Sequence, residues 1–114
     1  MIEPKIQNNV KDLKATYQLA LGQLGKLHAF RTVECLRTLE RQKWLVANGK
    51  SWTLNSNHLK GLAADLFPLP LGYKTPEATW QKMHDDWDKI VRAMGEKPEP
   101  RIGKDLGHFG IMPH

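Results

Sequence analysis

The sequence predicts an α+β domain in which about three helices pack against a small, mostly antiparallel sheet. Apolar residues recur at helical spacing in three segments, and short runs between these segments suit β-strands. The resulting order is helix, strand, helix, strand, helix, strand. With 114 residues, 40% of them hydrophobic, the chain can bury a single core, so we expect one domain over residues 1–114.

The first helix is predicted to follow Asn8 or Asn9, since either side chain can cap a helix, and to end near Gly25. Its apolar stripe consists of Val10, Leu13, Tyr17, Ala20, Leu21 and Leu24. We interpret the stripe as core, because this spacing places its members on one helix face. A strand is predicted next, over residues 29–34.

The second helix is short and is predicted to begin after Thr38, whose hydroxyl can cap it, and to end at Gly49. Its apolar residues are Trp44, Leu45 and Val46. This placement puts Arg37 at the junction between a strand and a helix.

A second strand is predicted over residues 61–66, because successive side chains of a strand point to opposite faces of a sheet. Gly61, Ala63 and Asp65 would line a site whose floor stays open beside the carboxylate. The opposite face would pack on the core and consists of Leu62, Ala64 and Leu66. His58 precedes the strand across a glycine-containing bend, which could return its ring to Asp65.

The third helix is predicted to start after a loop, with Thr75 as its cap, Pro76 in the first helical position and Gly95 at its end. Its apolar stripe consists of Trp80, Met83, Trp87, Ile90, Val91 and Met94. A further loop, which contains Pro98 and Pro100, then leads to a last strand over residues 107–112.

This last strand would return His108 beside Asp65, where His58 is also expected. Two imidazoles and one carboxylate are the ligand set of a catalytic zinc, which keeps a fourth position free for water. A structural zinc site is usually rich in cysteine, and this chain has one, Cys35, which we expect to be buried rather than reactive. The sequence therefore predicts one Zn²⁺ site on the sheet.

Three histidines are left outside this set. His84 lies on the third predicted helix near the edge of its stripe, His28 precedes the first strand, and His114 is the last residue. We predict that none of them binds the metal.

The segment from Ser56 to Asp65 also matches the pattern S-x-H-x-x-G-x-A-x-D at every fixed position. It resembles the zinc D-Ala-D-Ala carboxypeptidase and L-alanyl-D-glutamate endopeptidase family of cell-wall peptidases. The run LRTLERQ at residues 36–42, followed by GKS at 49–51 and NS at 55–56, is similar to the phage endolysin branch in particular. The likeness covers residues 28–68 and, more thinly, the last ten residues.

The resemblance implies a role for six residues. The metal ligands would be His58, Asp65 and His108. Asp105, three residues before the last ligand, matches the catalytic carboxylate of the family, and Arg37 matches the arginine that contacts substrate or the developing oxyanion. Ser56 opens the motif and would be a supporting polar residue. The family's fold is an α+β domain of the predicted kind.

The chain departs from the family pattern at three positions. Asn57 stands where the endolysin branch often has arginine, Cys35 where glycine is common, and Gly107 where proline usually precedes the final histidine. None of these departures removes a metal ligand. They bear on the substrate groove more than on the chemistry.

The predicted activity is a zinc-dependent peptidoglycan peptidase that hydrolyses stem peptides, most directly the L-alanyl-D-glutamate bond, with Asp105 as general base. A D-Ala-D-Ala carboxypeptidase is the near alternative. Asp105 could instead orient the ring of His108. Two other classes stay open: a non-catalytic, zinc-organised cell-wall-binding module, and a non-haem iron oxygenase, which uses the same ligand types but usually needs a larger all-β barrel.

The net charge of +5 and the pI near 9.5 favour anionic surroundings, which include cell-wall polymers. The sequence has neither zinc-finger spacing nor the aromatic and basic signature of an RNA-binding sheet, so we expect peptidoglycan and no nucleic acid as partner. We also expect a monomer without a membrane span, a separate wall-binding module or a signal peptide. It would be made in a host cytoplasm and act on the wall after release.

Overall fold

A computed structural model describes residues 2–103 and 105–114 of the chain. Within these residues three α-helices accompany a three-stranded antiparallel sheet of order β1-β2-β3, so the predicted α+β class is confirmed. The elements in chain order are α1 (Ala15–Leu24), β1 (Phe30–Glu34), α2 (Leu39–Ala47), β2 (Ala63–Pro68), α3 (Glu77–Ala93) and β3 (His108–Gly110). Short 3-10 helices span Val10–Asp12, Asn57–Lys60 and Gly72–Lys74.

The central strand β2 brings both neighbouring strands to Asp65. Glu34, the last residue of β1, pairs with Asp65 on one side, and His108, the first residue of β3, pairs with it on the other. A register irregularity between Thr32 and Glu34 precedes the first of these pairs. The sheet therefore places side chains that are distant in sequence next to one carboxylate.

The start of the first helix differs from the prediction. Asn9 caps the 3-10 helix Val10–Asp12, where its side chain accepts a hydrogen bond from the Lys11 amide at 3.0 Å. Leu13 and Lys14 are then extended, and the Lys14 amide donates to the Gly61 carbonyl at 2.9 Å. This bond to a distant segment delays the α-helix to residue 15, so Val10 lies outside it.

The second helix begins where predicted, since the Thr38 hydroxyl accepts a hydrogen bond from the Arg41 amide at 3.1 Å. Gly49 follows its end in a left-handed conformation, with φ of 68°. The buried face of α2 is more polar than the apolar pattern indicated and consists of Arg41, Gln42 and Leu45. Trp44 and Val46 are only half-buried.

The second strand begins later than predicted, at Ala63. Gly61 is not a strand residue, because it adopts φ of 69° immediately after the 3-10 helix Asn57–Lys60. A Cβ added there would lie 3.2 Å from the Lys14 amide nitrogen. Ala64 and Leu66 face the core, as the alternation predicted.

The third helix has Pro76 at its cap position, one residue after the predicted Thr75, and β3 is shorter than the predicted 107–112. Helices α1 and α3 cover the core face of the sheet. The buried apolar cluster consists of Leu13, Tyr17, Ala20, Leu21, Leu24, Cys35, Ala64, Leu66, Trp80, Met83, Trp87, Val91, Phe109 and Ile111. In the part of the chain described, no helix has the length and apolar content that a bilayer crossing requires.

Candidate metal centre

The structure brings the three predicted metal ligands together. His58 lies on the 3-10 helix before β2, Asp65 in the middle of β2, and His108 at the start of β3. The Asp65 Oδ1 atom is 3.3 Å from His58 Nε2 and 3.8 Å from His108 Nδ1. One donor atom from each residue lies within 4.8 Å of the others. Such spacing allows all three to contact a common ion.

A hydrogen bond to a partner outside the cluster determines which nitrogen of each imidazole is directed toward Asp65. His58 Nδ1 donates to the Cys35 carbonyl oxygen at 2.8 Å, which leaves Nε2 toward Asp65. His108 Nε2 donates to the Glu99 carboxylate at 2.8 Å, which leaves Nδ1 toward Asp65. Partners of this kind orient metal-binding histidines and set their tautomers.

The electrostatics of the cluster favour a cation. Burial opposes ionisation of Asp65, but hydrogen bonds from His108 and His58 outweigh it and hold the pKa of Asp65 well below its ordinary range. Burial also disfavours a charged His108, yet Asp65 and Glu99 raise the pKa of this imidazole to about 9. Two carboxylates therefore stabilise positive charge at one point. The donor set of two imidazoles and a carboxylate fits Zn²⁺.

Glu99 is a site residue that the sequence analysis missed. Besides His108, its Oε1 atom accepts a hydrogen bond from Asn57 Nδ2 at 2.8 Å. Space for its side chain exists because residue 110 is glycine, where an added Cβ would lie 2.1 Å from Glu99 Oε1. A lone acidic residue between two prolines has no spacing that marks it as functional, so only its contacts identify it.

Arg37 lies beside the cluster, with its side chain 10% exposed. Its guanidinium donates to Glu34 at 2.7 Å and to Gln42 at 2.8 Å, and it is 3.8 Å from Asp65 Oδ2. Among the described residues, the Nε atom of Arg37 has no hydrogen-bond partner. Glu34 also binds Arg41, so Arg37 belongs to a buried ionic network at the end of β1.

Ser56 and Asp105 take different places around the cluster. The Ser56 hydroxyl accepts a hydrogen bond from the His58 amide at 3.2 Å and caps the 3-10 helix that presents this histidine. Asp105 is an exposed residue that lines the same cavity. Partial desolvation by the cavity walls, followed by the negative charge of Asp65, raises the pKa of Asp105.

The cluster opens into a cavity of about 830 Å³. Its walls come from the end of β1, from the segment after α2 and from the loop before β3. Besides the metal donors, Arg37, Glu99 and Asp105, the lining consists of Glu34, Leu45, Lys50, Ser51, Trp52, Thr53, Asn55, Ser56, Ile102 and Gly103. A cavity of this size admits a peptide segment.

The remaining histidines make other contacts. His28 Nε2 is 2.7 Å from Asp86, and His114 Nε2 is 2.8 Å from Glu96. His84 Nε2 donates to the Leu106 carbonyl at 2.8 Å, and its ring stacks on Phe109 with centroids 3.9 Å apart. Cys35 is fully buried directly after β1. Burial also raises the pKa of its thiol.

Comparisons with known proteins identify similar solved structures. No protein-family model matches the chain, and no curated protein matches it. The L-Ala D-Glu endopeptidase ChiX of Serratia marcescens superimposes with a TM-score of 0.71 at 27% identity, over 91% of this chain and 84% of that one. The LD-carboxypeptidase LdcB superimposes with a TM-score of 0.61 at 16% identity, over 96% of this chain and 66% of that one.

The two similar structures are of an L-Ala D-Glu endopeptidase and an LD-carboxypeptidase, so the predicted resemblance to cell-wall peptidases is confirmed. At 16% identity the second structure supports the fold alone. The phage endolysin branch, the single-domain organisation and the monomeric state stay predictions.

Proposed function

We propose that this protein is a zinc-dependent peptidoglycan peptidase that cleaves the L-alanyl-D-glutamate bond of stem peptides. The observation that supports this function most directly is the cavity shared by the metal donors, Asp105 and Arg37. The likeness to ChiX, at 27% identity over most of both chains, supports the substrate class and the bond.

His58 Nε2, an Asp65 carboxylate oxygen and His108 Nδ1 would hold the ion. When bound, Zn²⁺ supplies an activated water, with a pKa of about 7, and polarises the scissile carbonyl. The ionised state of Asp65 and the hydrogen bonds on the far side of each ring prepare the three donors for this task.

Asp105 would accept the proton of the attacking water and return it to the leaving amine. Its raised pKa suits the first of these steps, because a carboxylate with a higher pKa is a stronger base toward the attacking water. Its side chain is exposed and lines the cavity, so the carboxylate is accessible to a molecule in that cavity.

We assign the orientation of the His108 ring, the alternative role for Asp105, to Glu99 instead. His108 Nε2 donates to Glu99, and Nδ1 faces Asp65. No N–H of this imidazole is left for Asp105. This arrangement supports the general-base role.

Arg37 would stabilise negative charge as the tetrahedral oxyanion develops. Glu34 and Gln42 hold the guanidinium from one side, so it is in place before the substrate binds. Preorganised donors of this kind lower the barrier because they need no rearrangement during the reaction.

Digestion of defined muropeptides, followed by mass spectrometry, tests this function. We expect a product in which L-alanine stays on the sugar and a new peptide begins with D-glutamate. Chelation should abolish the activity, and added zinc should restore it. His58→Ala should be inactive, whereas His28→Ala, which changes a histidine outside the cavity, should keep activity.

Other products would identify the alternatives. Loss of a terminal D-alanine would indicate a D,D-carboxypeptidase. Binding of zinc and sacculi without release of peptide ends would indicate a non-catalytic wall-binding module, and recovery of iron in place of zinc would favour oxygenase chemistry.

A further inference from the structure

Trp52 is exposed at the wall of the metal cavity, with 81% of its surface accessible. The other three indoles are accounted for by packing. Trp80 and Trp87 are buried in the core, and Trp44 is half-buried with the Lys50 ammonium 5.5 Å from its ring centroid. The indole of Trp52 therefore contributes little to the core, and its position needs another explanation.

The residues on both sides of Trp52 are held by hydrogen bonds. Gln42, which is fully buried, donates from Nε2 to the Thr53 carbonyl at 2.5 Å and to the Ser51 hydroxyl at 3.0 Å. The Ser51 amide donates to the Leu45 carbonyl at 3.2 Å. Because the two neighbours of Trp52 are fixed, the indole is presented from a defined backbone rather than from a loose loop.

Gln42 also connects this segment to the metal cavity. Its Oε1 atom accepts a hydrogen bond from Arg37 at 2.8 Å while its Nε2 atom holds the residues beside Trp52. The position of the indole and the position of the guanidinium thus depend on one buried side chain. The segment that presents Trp52 is therefore linked to Arg37 through Gln42.

The surroundings of Trp52 suit a sugar ring. The face of an aromatic ring carries partial negative charge and attracts polarised C–H groups, which cover the faces of a pyranose. Hydroxyl and amide side chains that can bind sugar hydroxyls line the cavity beside it and belong to Ser51, Thr53 and Asn55. A flat apolar surface with hydrogen-bonding groups at its edge complements an amphipathic ring.

We propose that Trp52 forms a glycan subsite, in which its indole stacks on the sugar that bears the stem peptide. This inference rests on the proposed function, because it assumes that the substrate is peptidoglycan. Cleavage between L-alanine and D-glutamate takes place one residue from the sugar, so the sugar of a bound substrate would lie beside the metal cavity. Trp52 occupies the rim of that cavity.

Kinetics on two matched substrates test the subsite: a stem peptide alone and the same peptide attached to its N-acetylmuramic acid. Trp52→Ala should raise KM for the sugar-bearing substrate about two- to tenfold, the range of one aromatic contact. It should leave KM for the free peptide and kcat for both substrates unchanged. Trp52→Phe should keep most of the preference, and Leu19→Ala, which truncates an exposed residue of α1, should behave as wild type.

An equal effect of Trp52→Ala on both substrates, or no effect on either, would overturn the glycan subsite while leaving the peptidase intact. If the wild-type protein cleaves neither substrate, the proposed function fails. A sugar-binding measurement then tests the glycan subsite separately. The probe is then a tetramer of N-acetylglucosamine, titrated against indole fluorescence. A saturable change that Trp52→Ala abolishes supports the subsite, and the absence of any change rejects it.

Discussion

Each imidazole of the candidate metal cluster has one nitrogen bonded to a partner outside the cluster and the other directed toward Asp65. For His58 the bonded atom is Nδ1, held by a backbone carbonyl, and for His108 it is Nε2, held by the Glu99 carboxylate. A carboxylate makes the stronger electrostatic partner, because it raises the basicity of the ring it binds. At the scale of single residues, we therefore expect Glu99 to contribute to metal affinity, although no sequence motif marks it.

Removal of the Glu99 carboxylate should weaken metal binding. We expect Glu99→Ala to lower zinc affinity by about 10- to 100-fold, the usual effect of losing such a partner. Competition with a zinc-chelating dye measures the change without reference to activity. Glu96→Ala is the matched control, since this carboxylate lies on the same segment but contacts His114. Unchanged zinc affinity in Glu99→Ala would contradict the assigned role.

Replacement of Asp105 should separate metal binding from turnover. Asp105→Ala should keep zinc but lower kcat by about 10²- to 10⁴-fold, because the attacking water loses its proton acceptor. Zinc content by metal analysis and kcat on muropeptides give the two readouts. Asp12→Ala, at an exposed position outside the cavity, should change neither. A variant that loses its metal together with its activity would argue for a supporting role instead.

At the scale of elements, the turn before β2 determines where His58 is presented. Gly61 ends the 3-10 helix with φ of 69°, and its carbonyl accepts the Lys14 amide at 2.9 Å. The turn thus joins the start of α1 to the segment that contains His58, a proposed metal ligand. A residue with a side chain has to adopt the left-handed region here and also meets the Lys14 backbone.

Two glycine substitutions should therefore have opposite effects on stability. Gly61→Ala should lower the free energy of unfolding by about 1–2 kcal/mol, the cost of left-handed backbone in a residue with a side chain. Gly22→Ala, inside α1 with no atom within 4 Å of the added Cβ, should raise it by about 0.5–1 kcal/mol. Denaturant unfolding measures both. A Gly61→Ala protein as stable as wild type would contradict the turn assignment.

At the scale of the whole molecule, the core and the metal centre share strand β3. His108 faces the cavity, while the next residue, Phe109, packs in the core against Trp87 and His84. Tyr17 and Trp87 donate hydrogen bonds to the carbonyls of Phe109 and Gly110 at 2.7 and 3.0 Å, respectively. Helices α1 and α3 thus hold the strand that presents His108, a proposed metal ligand, so folding brings the candidate site together.

Metal binding should for this reason stabilise the entire fold. Zinc at about 100 times its dissociation constant should add about 2.7 kcal/mol to the free energy of unfolding, because the unfolded chain does not hold the three donors together. Thermal unfolding with zinc and with chelator measures the difference as a shift in Tm. In His58→Ala the shift should be lost, while His28→Ala should keep it. A zinc-independent Tm in the wild-type protein would contradict a common site.

The sequence by itself determined the fold class, the order of helices and strands, and the identities of the three residues that converge. Periodicity and caps are local properties, and the spacing from Ser56 to Asp65 is short enough to be read along the chain. The predicted start of α1 was wrong because the Lys14 amide donates a hydrogen bond to the carbonyl of Gly61, 47 residues away. A local sequence pattern cannot predict such a contact.

Only the tertiary structure decided which nitrogen of His58 and of His108 is directed toward Asp65. It also decided that Glu99 accepts a hydrogen bond from His108, and that Gln42 links Arg37 to the residues beside Trp52. Each of these facts depends on hydrogen bonds between side chains and groups that the folded chain brings together. Such bonds form only after the sheet and the loops have been brought together. The physical reason is that packing of the whole chain determines the distances and angles between these groups, which their spacing in the sequence does not determine.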